Sequence, residues 1–111
     1  MSRTYLKDQI ERIKRAIEYE KAKIADSRKD ITSTRLRKKR RSESYSYKIK
    51  STSSSASKSN LRISRSNEWR EFSRDIDCEK ETIASCRERI KKHREDIKKE
   101  REKLKNHWKN K

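Results

Sequence analysis

The sequence predicts an all-α protein in which two long helices form an antiparallel coiled-coil hairpin. Isoleucine recurs every seven residues in two rows, which are Ile10, Ile17, Ile24 and Ile31, and then Ile76, Ile83, Ile90 and Ile97. A seven-residue repeat keeps one stripe of a helix facing a partner helix. The 111-residue chain has no glycine and no proline, so neither helix meets an intrinsic breaker.

The first coiled-coil helix is predicted over residues 1–41, with its isoleucine row at the heptad a positions. The early d positions, Leu6 and Ile13, are apolar, whereas the later ones, Glu20, Ser27 and Thr34, are polar. The helix ends in a run of cations, which suits the negative end of a helix dipole. We therefore expect the contact between the helices to be apolar at the start of this helix and to contain fewer apolar side chains toward its end.

Residues 42–66 are predicted to form a flexible basic linker. Serine is the commonest residue there, and it favours caps and turns over helix interiors. A linker between two helices of similar length permits the antiparallel hairpin.

The second coiled-coil helix is predicted over residues 67–111. Ser66 or Asn67 could cap it, and Glu68 and Glu71 lie in the first turn, where negative charge is favourable. Because the d positions are mostly polar, a second copy of the chain or a larger assembly would complete the burial, and homodimerisation is left open. The residues predicted to form the helix interface are Ile10, Ile13, Ile17, Ile24, Ile31, Trp69, Phe72, Ile76, Ile83, Ile90, Ile97 and Leu104.

The composition excludes several classes of protein. Only 27% of the residues are hydrophobic and 48% are charged, so we expect no sizeable globular core. No apolar run approaches the roughly 20 residues that span a bilayer. The N-terminus lacks the apolar segment of a signal peptide. Two cysteines indicate a reducing, intracellular setting (cytoplasm, nucleus or nucleoid), although secretion that needs no signal peptide is left open.

The titratable residues do not form a recognisable catalytic or metal-binding pattern. Cys78 and Cys86 are separated by about 12 Å along a helix, too far for a disulfide bond. Cys86, His93 and His107 share a stripe, but their spacing prevents convergence on one ion. We therefore expect no enzyme activity, no metal and no cofactor. A Cys86 pair across a parallel dimer is left open.

Charge is the main clue to function. The net charge is +17, and residues 36–70 hold 11 basic and two acidic residues. Such an excess favours a polyanionic partner, nucleic acid first, bound through salt-sensitive phosphate contacts. Tyr45, Tyr47 and Trp69 could stack on unpaired bases, which would favour single strands or RNA loops. The predicted nucleic-acid-binding residues are Arg35, Arg37, Lys38, Lys39, Arg40, Arg41, Tyr45, Tyr47, Lys48, Lys50, Lys58, Arg62 and Arg65.

The alternative is a structural or adaptor coiled coil that binds a helical protein partner. The chain has an N-terminal heptad helix, a mid-chain tryptophan shortly before a phenylalanine (Trp69 and Phe72), and a second heptad helix. In this layout it resembles the small helical-hairpin proteins of Gram-positive type VII secretion systems, of the WXG100 and LXG-associated kinds, with Glu71 in place of the glycine of their W-x-G turn. The resemblance implies a secreted or targeting helical partner of a toxin, without a nucleic-acid role.

Overall fold

The computed structural model describes residues 2–109, and the side chains of residues 2–107. Two helices account for nearly all of this part of the chain: α1 comprises Arg3–Ser51 and α2 comprises Ser55–Lys109. The predicted all-α fold with two long helices is confirmed. Positions 1, 110 and 111, which the predicted helices included, lie outside the described residues. No helix within residues 2–109 is both long and apolar enough to cross a membrane.

Serine side chains cap both helices at their N-termini. The Ser2 hydroxyl accepts a hydrogen bond from the backbone N–H of Tyr5 at 3.1 Å, and the Ser54 hydroxyl accepts one from Ser57 at 3.3 Å. This is the usual N-cap geometry, in which a side-chain oxygen satisfies an N–H that has no partner within the helix. At the other end of α1, Thr52 Oγ1 donates to the Lys48 carbonyl at 2.7 Å. The turn between the helices is therefore residues 52–54.

The predicted linker over residues 42–66 is wrong in its extent. Most of this segment is helical, and only residues 52–54 lie outside the helices. Serine costs a helix only a fraction of a kcal/mol per residue, which tertiary packing readily offsets. That packing comes from Tyr45, which is buried, and from Ile49 and Leu61, which are half-buried.

The chain divides into two compact units, each containing part of both helices. Unit 1 comprises Met1–Asp26 and Thr82–Lys111, and unit 2 comprises Ser27–Glu81. This division cuts across the predicted boundaries, because each unit contains a segment of α1 together with a segment of α2.

Unit 1 has an apolar core built from the isoleucine rows. The buried hydrophobic side chains are Leu6, Ile10, Ile17, Ile24, Ile83, Cys86, Ile90 and Ile97, while Ile13 and Leu104 are half-buried. These isoleucines are buried within a single chain, so their burial needs no second copy. Homodimerisation stays a prediction.

Unit 2 has a more polar interface between its helices. Ile31, Tyr45 and Ile76 are its buried hydrophobic residues, and Ser27 and Thr34 are buried beside them. Three side-chain contacts show the relative direction of the helix segments. They join Lys38 to Ser73, Arg41 to Glu68 and Ser46 to Arg65, so residue numbers fall along α2 as they rise along α1. The helix segments of unit 2 are therefore antiparallel, and polar contacts supply much of what holds them together.

Candidate nucleic-acid interface

A groove rich in cations lies on one side of unit 2, and we call it the basic groove. Its α1 residues include Arg35, Lys39, Ser42, Ser46 and Lys50, whose spacing of three or four residues places them on one helix face. The groove has a volume of about 480 Å³ and is lined by Arg35, Lys38, Lys39, Ser42, Glu43, Ser46, Tyr47, Lys50 and Trp69. Four cations therefore share it with one carboxylate.

Two aromatic side chains of the basic groove are open to solvent. Trp69 is 47% exposed and Tyr47 is 73% exposed. The ammonium nitrogen of Lys38 lies 3.7 Å from the centroid of the Trp69 ring, and it also donates a hydrogen bond to Ser73 Oγ at 3.0 Å. This is a close cation–π contact, and it fixes the lysine beside the indole.

Trp69 also lines a second, smaller cleft. That cleft has a volume of about 300 Å³ and is lined by Ser42, Arg65, Ser66, Trp69 and Arg70. Because Trp69 and Ser42 belong to both clefts, the indole is flanked by cations on two sides. An aromatic ring placed among exposed cations can stack on a base while its neighbours contact phosphates.

The prediction that Trp69 belongs to the helix interface is wrong, because Glu68 takes that place. Residues Arg65, Glu68 and Phe72 are half-buried, and the next buried residue toward the C-terminus is Ile76. The step from Glu68 to Ile76 is eight residues, so the strict seven-residue repeat does not extend back to Trp69. Phe72 does lie against α1, where the Arg37 guanidinium is 6.0 Å from its ring centroid.

Arg41, Tyr45 and Glu68 form a hydrogen-bonded cluster between the helices. Arg41 Nε donates to Glu68 Oε2 at 3.0 Å and Arg41 Nη2 donates to Oε1 at 2.8 Å, while Tyr45 Oη donates to Oε1 at 3.0 Å. The hydrogen bond from Arg41 is the main cause that lowers the pKa of Glu68, and the same bond raises the pKa of Arg41. A bidentate arginine–carboxylate pair is among the stronger polar contacts in proteins.

This cluster changes the role of two predicted binding residues. Tyr45 is only 9% exposed, so its ring is not open for stacking on a base, contrary to the prediction. Arg41 is committed to Glu68, and it also lies 5.2 Å from the Tyr45 ring centroid. Both side chains hold unit 2 together rather than lining the basic groove.

The other predicted cations are distributed around the helices. Arg37 donates to Thr34 Oγ1 at 3.3 Å, Arg65 donates to Ser46 Oγ at 3.4 Å, and Lys48 lies 5.6 Å from the Tyr45 ring centroid. Three predicted cations remain, and none of them lines the basic groove. These are Arg40, Lys58 and Arg62. Sequence reasoning thus assigned Arg35, Lys38, Lys39, Tyr47 and Lys50 to a shared surface, but it did not include Ser42 or Ser46.

A polar cluster in unit 1 combines the buried residues Glu20 and Cys86 with Arg89, whose side chain is exposed. Arg89 Nε donates to Glu20 Oε1 at 3.0 Å, and Arg89 Nη2 lies 3.4 Å from the Cys86 sulfur. The hydrogen bond from Arg89 is the main cause that lowers the pKa of Glu20, whereas burial raises the pKa of the Cys86 thiol. A raised pKa lowers the fraction of thiolate, which is the nucleophilic form of cysteine.

Within the part of the chain that the structure describes, no three His, Cys, Asp or Glu side chains are grouped so that they could hold an ion.

Comparisons with known proteins do not assign the chain to a family. No protein-family model, no curated protein and no solved structure matches the chain. The resemblance to type VII secretion proteins therefore stays a prediction.

Proposed function

We propose that this chain is a non-catalytic nucleic-acid-binding protein that holds an unpaired strand in the basic groove of unit 2. The observation that carries the proposal is the placement of exposed Trp69 and Tyr47 among the cations Arg35, Lys39 and Lys50. Aromatic rings and cations side by side are the features with which proteins bind single strands without reading their sequence.

The two kinds of side chain contribute differently. Each base stacked on an aromatic ring contributes about 1–3 kcal/mol, and it does so for any base. Each phosphate neutralised on a single strand adds about 0.7 to the slope of log affinity against log salt concentration. Since four cations line the groove, the groove alone predicts a slope of about −3.

Tryptophan fluorescence tests whether the strand enters the groove. The chain has two tryptophans, so Trp108→Phe leaves Trp69 as the single emitter. Addition of a single-stranded oligonucleotide such as oligo(dT) or oligo(U) should quench its emission to saturation, and salt should reverse the quenching. A duplex of equal length should quench much less, because its bases are already stacked on each other. Binding without quenching would place the contact elsewhere and refute the proposed site.

A pair of matched charge variants tests the cations. Arg35→Gln/Lys39→Gln removes two groove cations, whereas Arg40→Gln/Arg74→Gln removes two exposed cations of unit 2 that do not line the groove. The groove variant should lower the salt slope by about 1.4, and the control variant should change it much less. Equal losses in the two variants would mean that only net charge matters. Salt-independent capture of one helical protein, with no oligonucleotide binding, would instead support the adaptor alternative.

A further inference from the structure

Cations from both helices share one cleft in unit 1. Lys14 and Lys21 of α1 and Arg94 and Arg101 of α2 line a groove of about 590 Å³. Members of each pair are seven residues apart, so they repeat at one position of the heptad. Like charges therefore flank the groove from both sides, where coiled coils ordinarily place opposite charges.

The acidic residues of this groove are on one helix only. Glu11 and Glu18 line it, and they pair with Lys14 and Lys21 at 3.5 Å along α1. These are exposed pairs between neighbouring turns of α1. The α2 side contributes arginines to the groove and no carboxylate. With Arg15, five cations line the groove against these two carboxylates, and a surface with such an excess of positive charge is complementary to an anionic ligand.

The positive charge continues along α2 as an unbroken row. Six cations follow one another at spacings of four and three residues, which keeps them on one helix face over about 27 Å. They are Arg87, Lys91, Arg94, Lys98, Arg101 and Lys105. The first four also line a neighbouring cleft of about 550 Å³, which they share with one carboxylate, that of Glu95. The row carries one cation per roughly 5 Å of helix, whereas each strand of B-DNA carries one phosphate per about 3.4 Å of its axis, so a duplex offers at least one phosphate for every cation of the row.

We propose that this surface of unit 1 is a second nucleic-acid site, which binds the sugar–phosphate backbone of a duplex. No aromatic side chain lines either cleft of this surface, so the contacts would be to phosphates and not to unpaired bases. The isoleucines in the groove, Ile17 and Ile97, are already buried, which leaves little apolar surface for a partner helix. The inference rests on the proposed function for its class of ligand, but it uses different residues.

Two matched double variants test the site. Arg94→Gln/Arg101→Gln removes groove cations, and Lys92→Gln/Lys99→Gln removes the same charge from another face of α2. Both are made in a chain that already carries Arg35→Gln/Lys39→Gln, and binding of a 20-base-pair DNA duplex is measured across a salt series. The groove variant should reduce the salt slope by about 1.8, because about 0.9 is lost for each duplex phosphate contact. Equal slopes for the two variants would overturn the inference.

A competition experiment distinguishes nucleic acid from acidic protein. Polyglutamate of matched total charge should bind the unsubstituted chain more weakly than the duplex does. Tighter binding of polyglutamate would reassign the surface to an acidic protein partner and overturn the inference.

Thermal melting without ligand provides an independent measurement. At low salt, Arg94→Gln/Arg101→Gln should melt at a higher temperature than Lys92→Gln/Lys99→Gln, because it relieves repulsion across the groove. The difference should shrink as added salt screens the charges. A lower melting temperature for the groove variant would show that the like charges do not oppose each other. Loss of single-strand binding to unit 2 would refute the proposed function and leave these results untouched.

Discussion

Ile83→Ala removes three carbon atoms from the apolar core of unit 1. Ile83 is only 8% exposed, so nearly all of the deleted surface is out of water. At about 0.8 kcal/mol per carbon, the transfer contribution is about 2.4 kcal/mol. The cavity that remains adds to this, which gives an expected loss of about 3 kcal/mol in the free energy of unfolding. For a chain of this size, that corresponds to a fall of roughly 10–20 °C in melting temperature.

Ile63→Ala is the matched control, because Ile63 is 57% exposed in α2. Less than half of its surface is buried, and alanine is a better helix former, so the expected loss is about 1 kcal/mol or less. Helix content followed by circular dichroism during thermal and urea unfolding measures both changes. Similar losses in the two variants would refute the packing of the isoleucine rows, since they would show that the helices melt without a shared core.

Three further predictions follow from individual contacts. Arg41 lowers the pKa of Glu68 from its usual 4.5, so the stability that this contact supplies is present above pH 4.5 and is lost as the pH falls through the folded pKa. The melting temperature should therefore fall less between pH 6 and pH 3 in Glu68→Gln than in the unsubstituted chain. An equal fall in the two proteins would contradict this. Cys78 is exposed and Cys86 is fully buried, so a thiol reagent should label Cys78 quickly and Cys86 only as fast as unit 1 opens; equally fast labelling of both thiols would contradict the burial. Lys38→Leu should raise the melting temperature. It should also weaken oligonucleotide binding by about fivefold, or about 1 kcal/mol, because the ammonium group beside Trp69 is lost. Unchanged binding would show that Lys38 does not belong to the site.

The core of unit 1 could be predicted from the sequence because its signal is local and repeated. Isoleucine at every seventh position leaves one arrangement in which all members of a row are buried together. Ile17, Ile24, Ile83 and Ile90 accordingly lie where the repeat places them. Nothing beyond helix geometry was needed for this part of the fold.

The helical state of residues 42–66 could not be predicted from their serine content. Intrinsic propensity is a weak guide where the differences per residue are a fraction of a kcal/mol. The deciding contacts are distant in sequence, such as the hydrogen bond between Tyr45 and Glu68, 23 residues apart. The informative signal was the absence of glycine and proline, which indicates that nothing in the segment requires the helix to stop.

The candidate site was predicted as a run of cations, but a helix distributes a run around its circumference. Consecutive residues are turned by about 100° from one another, so neighbours in sequence face different surroundings. Arg41 consequently lies against Glu68 and Lys39 lines the basic groove, while Arg40, between them, does not line it. The exposure of Trp69 reflects the eight-residue step from Glu68 to Ile76, which a strict heptad does not reveal.

Unit 2 has a polar side chain in place of an apolar one at an interface position that lines the basic groove. Lys38 continues the a row of α1, where an isoleucine would strengthen the helix interface, since a polar side chain at that position lowers coiled-coil stability. The lysine is retained in a satisfied form, with Ser73 as its hydrogen-bond acceptor and the Trp69 ring beneath its charge. An apolar residue there would leave Trp69 without its neighbouring cation. The polar side chain at this interface position therefore lowers the stability of unit 2 and at the same time keeps a cation beside the exposed indole.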